Sequence, residues 1–346
     1  MARQALFIYT HPSTFVRGDL EILSSEFDIK EYQVVNTPKK TLPWSLLKLS
    51  LYLIFNIGRF EIVYIWFADY HSFLPILFSR IAGKRSYLVI GGYDICRERR
   101  YKYGSFSNPL RSFAAIFSIK MTTMNLCVSN NVQRVIKAIA PSSRSYVVYN
   151  GVKIDFTSYP ESSSKSTPTV EKSSSEILCV ALVSTVQSFY IKGIDRFNSV
   201  AESMPENNFV LVGCNPDVFM SAGVAPAKNL TILPRLDHSL LKDYYINSKV
   251  YCQLSRRESF SLSLAEAMSY SCIPVITKTG GMPEVIGETG FQADGDDIEQ
   301  IVKFVKTALK SEISDDLRDR VITYFSLKRR EESLFKIINL YKAKRD

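Results

Sequence analysis

Two glutamates stand eight positions apart in the run "RRESFSLSLAEAM" (residues 256–268), Glu258 ahead of a serine-rich turn and Glu266 inside an apolar stretch. Paired carboxylates first suggest hydrolysis of a glycosidic bond, where the groups lie about 5 Å apart in retaining enzymes and about 6.5 to 9.5 Å apart in inverting ones. The spacing argues against that chemistry. Eight residues span about 12 Å along a helix and more than about 25 Å along a strand, so neither arrangement flanks one bond. A turn that becomes a helix does bring both carboxylates to one ligand, with the amides of Ser261 to Ser263 between them. The first amides of a helix lack partners within it and carry partial positive charge, so nucleotide phosphates can dock there while each carboxylate accepts from sugar hydroxyls.

Each of these residues has a plainer alternative. Glu258 could pair with Arg256 or Arg257. Glu266 is costly to bury in an apolar helix without partners, which favours a ligand role. Lys192 lies in a loop after a strand-like run and could be a solvated lysine, but Gly193 beside it suits a close backbone approach. The D-x-D within "ADGDD" (residues 293–297) could hold magnesium in a metal-dependent enzyme. Its place just ahead of "IEQIVKFVKTAL" makes Asp296 or Asp297 a helix cap instead, so no metal site is assigned. His11 and His71 stand alone and read as structural. The six cysteines are scattered singly with no C-x-x-C pair, as reduced core residues are.

The elements that must position these groups follow from the periodicity. A chain of 346 residues, 46% apolar and 22% charged, can bury two cores. Short β-branched and aromatic runs at residues 5–10, 28–35, 61–67, 85–92, 125–129 and 145–151 alternate with helical stretches. After a Ser- and Pro-rich segment the pattern restarts at residues 177–184, 208–213, 229–234, 249–255 and 273–278. The reading is α/β: a Rossmann-like domain over 1–155, a linker over 156–176, a second Rossmann-like domain over 177–327, and a helix from about 328 to 346 packing back on the first domain.

The net charge of +9 is lopsided: residues 1–155 hold 20 Lys and Arg against 10 Asp and Glu, and the remainder 23 against 24. Within the basic half, "WSLLKLSLYLIFNIGRF" (residues 44–60) is too short to span a bilayer, which needs about 20 residues. Leu and Ile all round it favour a buried helix; the rival reading is an interfacial helix on an anionic leaflet, aided by "RERRYKYGSF" (residues 97–106). No nucleic-acid recognition motif accompanies the charge. The first residues show no signal-peptide pattern, so a cytoplasmic location, peripheral on the inner face of the plasma membrane, is expected.

The second half resembles the donor domain of the retaining glycosyltransferases of family 4, which have the GT-B fold of two Rossmann-like domains facing across a cleft. The resemblance rests on "KGIDRF" (192–197), "ESFSLSLAEAMSYSCIPVIT" (258–277) with its E-x7-E, "GGMPEVI" (280–286) and "GETGF" (287–291), with "YNGVKIDF" (149–156) where such chains leave the first domain. The first half resembles the family in organisation only. The resemblance implies that Glu258 holds donor-sugar hydroxyls, Glu266 the nucleotide ribose, and Lys192 the leaving phosphate, with backbone groups of Phe260, Ser261 and Leu262 on sugar and diphosphate. The chain departs from the family at "CVALVS" (179–184), where a phosphate-binding arginine is missing; Arg235, Arg256 or Arg257 are candidates to replace it. It departs again at "VIGGYDI" (89–95), where Asp94 stands in the place of a histidine and either orients a hydroxyl or caps the following turn.

The implied activity is transfer of a hexosyl or related sugar (EC 2.4) from a nucleotide-diphosphate sugar to an acceptor hydroxyl, without metal or other cofactor, in polysaccharide or glycolipid assembly. The acceptor would be a carbohydrate or a lipid-linked sugar, with the basic domain on an anionic membrane and no nucleic-acid partner. The alternatives are a GT-B epimerase or hydrolase of sugar nucleotides, and a non-catalytic, membrane-associated nucleotide-sugar binder.

Overall fold

In a computed structural model, residues 3–35, 41–154 and 172–340 are described, and they form two units, 1–151 with 330–346, and 152–329. The first unit runs β1 (Gln4–Tyr9), α1 (Thr14–Ser24), β2 (Asp28–Gln33), α2 (Leu42–Asn56), β3 (Ile62–Trp66), α3 (Tyr70–Ile81), β4 (Arg85–Ile90), α4 (Pro109–Met121), β5 (Met124–Cys127), α5 (Asn130–Ile139) and β6 (Ser145–Val147). Its strands are parallel in the order β2-β1-β3-β4-β5-β6. β3 and β4 are buried at every position, as expected of central strands covered on both faces. Right-handed crossovers put α1 on one face and α2, α3, α4 and α5 on the other, because only the β1 to β2 step runs toward the β2 edge.

The second unit runs β7 (Ser173–Val183), α6 (Val186–Ile191), α7 (Ile194–Glu202), β8 (Asn208–Cys214), α8 (Asp217–Ala222), β9 (Leu230–Leu233), α9 (His238–Asn247), β10 (Ser248–Gln253), α10 (Leu262–Ser269), β11 (Ile273–Thr277), α11 (Met282–Ile286), β12 (Phe291–Ala293), α12 (Ile298–Lys310) and α13 (Asp316–Phe325). Its parallel order is β12-β11-β10-β7-β8-β9. The chain leaves β7 toward one edge and β10 toward the other, so these neighbours mark the switch point beyond whose carboxyl ends a doubly wound sheet binds ligands. The last helix, α14 (Leu327–Leu340), enters the first unit at Arg330. There the buried Arg330 guanidinium pairs with Asp19 of α1 and donates to the carbonyls of Val148 and Tyr149.

Two expectations need correction. The segment read as a linker over 156–176 lies outside the described residues up to 171, but its end is strand, since β7 begins at Ser173. The helix expected to be buried over residues 44–60 is α2, and only its Leu49 and Leu53 are buried; its other apolar side chains are half-buried or face solvent. Being apolar all round, it gave no periodic signal of an outer face. All six cysteines are free, with Cys96 half-buried and the rest buried. His71 is buried and bonded through Nε2 to the carbonyl of Trp66 at 2.7 Å, which is a structural role.

Candidate functional site

The turn between α6 and α7 and the loop after β10 converge beside the switch point. Gly193 has φ of +69°, and a Cβ there would come within 1.9 Å of the Leu254 carbonyl at the end of β10. That contact, with the Arg256 amide donating to Ile191 at 2.8 Å, fixes the Lys192 loop against the β10 loop. Lys192 Nζ then reaches Glu258 Oε2 at 2.8 Å across 66 positions of sequence, and both side chains are partly exposed. Two residues given separate tasks from sequence are therefore one ion pair. From the other side Gly280, φ +61°, lies so close to Glu258 that a Cβ would sit 1.6 Å from its carbonyl, and the Gly281 amide donates to that carbonyl at 3.2 Å.

Past Glu258 the chain turns through Ser261, which holds φ of +76° although it is not glycine, and α10 begins at Leu262. Backbone held in this sparsely populated region costs about 1 to 3 kcal/mol and persists only where its surroundings enforce it. Here they do. Phe260 buries its ring edge-on against Phe325 at 5.3 Å, which leaves its backbone to the loop. Beneath the turn, the Tyr251 hydroxyl lies 2.9 Å from both Gln253 Oε1 and Ser263 Oγ, within reach to donate its one proton to either, and Gln253 Nε2 donates to Ser255 Oγ at 2.8 Å. Ser263 Oγ also donates to the carbonyl of Val180, beside the register shift of β7. The first-turn amides of α10, which have no acceptors inside the helix, are thus aimed from a rigid base.

Glu266 lies on the second turn of α10 and accepts from the buried Tyr245 hydroxyl at 3.1 Å. Burial pushes its carboxyl up to about 7, and the Tyr245 bond opposes that rise only in part. A carboxyl so destabilised as an anion gains from any further hydroxyl that donates to it.

The remaining candidates divide. Arg256 forms a two-pronged pair with Asp195 at 2.6 and 2.7 Å and donates to the Tyr190 carbonyl, so it braces the loop. Arg257 is exposed next to Glu258 in the chain. Arg235 is exposed just past the carboxyl end of the edge strand β9, with β8 between that strand and β7. In the D-x-D segment, Asp297 Oδ1 accepts from the Gln300 amide at 2.9 Å and caps α12, while Asp296 pairs with Arg196. Asp94, in the other unit, is buried and accepts from the amides of Gly92 (2.6 Å), Ala68 (3.0 Å) and Gly91 (3.3 Å). Burial raises its carboxyl to about 6 against the pull of these amides, and its evident task is to tie the loop after β3 to the loop after β4. Sequence reasoning missed Tyr245, Tyr251, Gln253 and Ser255; for the last three the signal was polar side chains in and after the apolar strand β10, and Tyr245, inside α9, gave none.

Two parallel-sheet Rossmann-like units of this kind make up the GT-B fold, and residues 182–326 match the family model described as "Glycosyl transferases group 1", so the second unit carries a glycosyl transferases group 1 domain. Among solved structures the chain is similar to sucrose-phosphate synthase from Thermosynechococcus elongatus, with a TM-score of 0.77 at 12% identity over 99% of this chain and 100% of that one. It is likewise similar to HepE of Anabaena in complex with UDP, with a TM-score of 0.69 at 13% identity over 97% and 99% of the two chains. A curated relative is the phosphatidylinositol N-acetylglucosaminyltransferase gpi3 subunit of Schizosaccharomyces pombe, 25% identical over 171 residues, 46% of this chain and 35% of that protein. The chain spans at most about two fifths of the length of the curated relatives it matches.

Proposed function

We propose that the chain is a retaining, metal-independent glycosyltransferase of family 4 that moves a sugar from a nucleotide-diphosphate donor to an acceptor hydroxyl. The observation that carries this reading is the Lys192–Glu258 pair at the β7/β10 switch point, beside the first turn of α10, with Glu266 one turn further on. In the reaction the bond from the anomeric carbon to the phosphate oxygen breaks, and the acceptor oxygen bonds to the same face of the sugar. The acceptor's proton passes to the departing phosphate, so no separate base is needed. Charge grows on the diphosphate as that bond breaks, and a fixed ammonium with preorganised amides stabilises it. Lys192 and the amides of Leu262 and Ser263 take that part, Glu258 accepts from donor-sugar hydroxyls, and Glu266 accepts from the ribose.

The acceptor is a carbohydrate carried on lipid, in surface polysaccharide or glycolipid assembly, reached from the cytoplasmic side of the membrane. The basic first half supports this placement, and the match to a phosphatidylinositol-directed transferase subunit agrees with it. Asp94 acts as a positioning residue that shapes the loops after β3 and β4.

The test is thermal stabilisation against UDP-, GDP- and ADP-sugars, since a ligand that binds only the folded state raises its melting temperature. One base class should stabilise the protein and Glu258→Ala should abolish the effect; no stabilisation by any of them contradicts the reading. Proton NMR of the product of an α-linked donor should then show an α-linkage, and a β-linked product would overturn retention.

A further inference from the structure

From the first unit's three-helix face we infer a docking surface for an anionic lipid bilayer, formed by the outer sides of α2, α3 and α4. This deepens the proposed function by naming the partner surface of the first unit. α3 packs between α2 and α4 on one face of the sheet. The outer side of α2 exposes Trp44, Leu47, Leu51, Ile54 and Phe55, the last at 76%. On α4, Leu110 and Phe113 are exposed at 70% and 65%, and Ile81 ends α3 at 74%. Between them the outer positions of α3 are Phe73, Leu74, Leu77 and Phe78, all half-buried, and Phe73 bridges to Phe113 and Phe117 at ring distances of 6.2 and 4.3 Å. Contiguous apolar surface across three neighbouring helices is unusual on a protein that meets only water.

Charge selects the occupant. The three helices contain Lys48, Arg80, Arg111 and Lys120 and not one Asp or Glu. Asp69, the carboxylate at the start of α3, is bound by Arg111. At the opposite ends of α3 and α4, an open pocket of about 520 Å³ is lined by Arg80, Lys84, Lys120 and Arg144 with hydroxyls of Ser86 and Thr122, again with no acidic residue. Lys84 Nζ donates to the Gly58 carbonyl at 2.6 Å, which ties this pocket to the end of α2. An apolar face edged by cations is the pattern that seats at the acyl-headgroup boundary, with side chains in the hydrocarbon and cations on lipid phosphates. A second copy of the chain would set cations against cations across a two-fold interface. No described helix is long and apolar enough to cross a membrane, so the contact is with the surface.

The experiment is co-sedimentation of the full chain with vesicles of phosphatidylcholine alone and of phosphatidylcholine with phosphatidylglycerol in equal parts. The chain should pellet with the anionic vesicles, more weakly with the neutral ones, and less as salt rises. Leu51→Glu, Phe55→Glu and Phe113→Glu should each lower partitioning about tenfold, and Arg80→Glu with Lys120→Glu should remove the preference for anionic lipid. Met220→Glu, at a side chain 76% exposed on the other unit, is the control and should change nothing. Circular dichroism of each variant should match the parent, since these side chains lie at the surface. Absence of pelleting, partitioning indifferent to these substitutions, or a dimer in solution that Phe113→Glu splits would each overturn the inference. Vesicle binding requires no sugar transfer, so its outcome and that of the nucleotide-sugar assay are read separately.

Discussion

Glu266 offers the sharpest perturbation, because its burial sets a stability cost and a ligand gain against each other in one side chain. Its carboxyl is raised from 4.5 to about 7 by burial, and a shift of that size corresponds to about 3 kcal/mol between protonation states. The folded protein holds this proton more tightly than the unfolded chain does. Stability is therefore highest below about pH 4.5 as far as this group is concerned, declines as pH rises from 4.5 to about 7, and stays lowered above that. Glu266→Gln removes the titration and keeps an oxygen for the Tyr245 hydroxyl. Urea unfolding at a series of pH values should show the variant gaining on the parent by up to about 3 kcal/mol between pH 5 and pH 8. Nucleotide-sugar affinity should move the other way. The ribose hydroxyls lose an ionised acceptor, so Glu266→Gln should bind about tenfold or more weakly at pH 8. In the parent, affinity should fall as pH drops below about 7, because binding must then release the carboxyl's proton. Parallel stability profiles for variant and parent across this range would refute the reasoning.

Lys192→Ala should reduce the transfer rate by about 100-fold or more at saturating donor, read by steady-state kinetics, because the cation acts on charge that develops in the transition state. Gly280→Ala places a Cβ 1.6 Å from the Glu258 carbonyl at a left-handed φ; it should cost more than about 2 kcal/mol, seen as a lower melting temperature, and displace Glu258. Asp94→Asn replaces an acceptor of three amides by a group with one oxygen and an NH2, so the melting temperature should fall with a cost of about 1 to 3 kcal/mol. Transfer at low temperature should largely survive that change; lost transfer at an unchanged melting temperature would show that Asp94 touches substrate.

Strand positions were legible in the sequence because buried parallel strands are dense β-branched and aromatic runs; β3, β4 and β11 differ from their expected bounds by at most two residues at each end. The order in each sheet was not legible, although it alone places Lys192 and Glu258 side by side. The turn into α10 was legible because Glu258, the serines and Glu266 lie within one short segment. What supports that turn was not: the Tyr245 hydroxyl comes from the preceding helix, and the Gly280 contact from the loop after β11. Asp94 could be read as a ligand-binding or a capping residue, and local sequence could not decide, since one of its three amides comes from Ala68 in another loop. The exposed side of α2 was left open between a buried and an interfacial helix for a different reason. Hydrophobic patterning reports which residues avoid water, and it cannot tell a protein core from another apolar surface as their cover.

The most direct measurement is a structure of the chain with a nucleoside diphosphate bound. The account predicts the diphosphate within hydrogen-bond reach of Lys192 Nζ and the Leu262 and Ser263 amides, with the ribose hydroxyls on Glu266. A nucleotide seated elsewhere, with the Lys192–Glu258 bond intact and the first turn of α10 open to water, would contradict it.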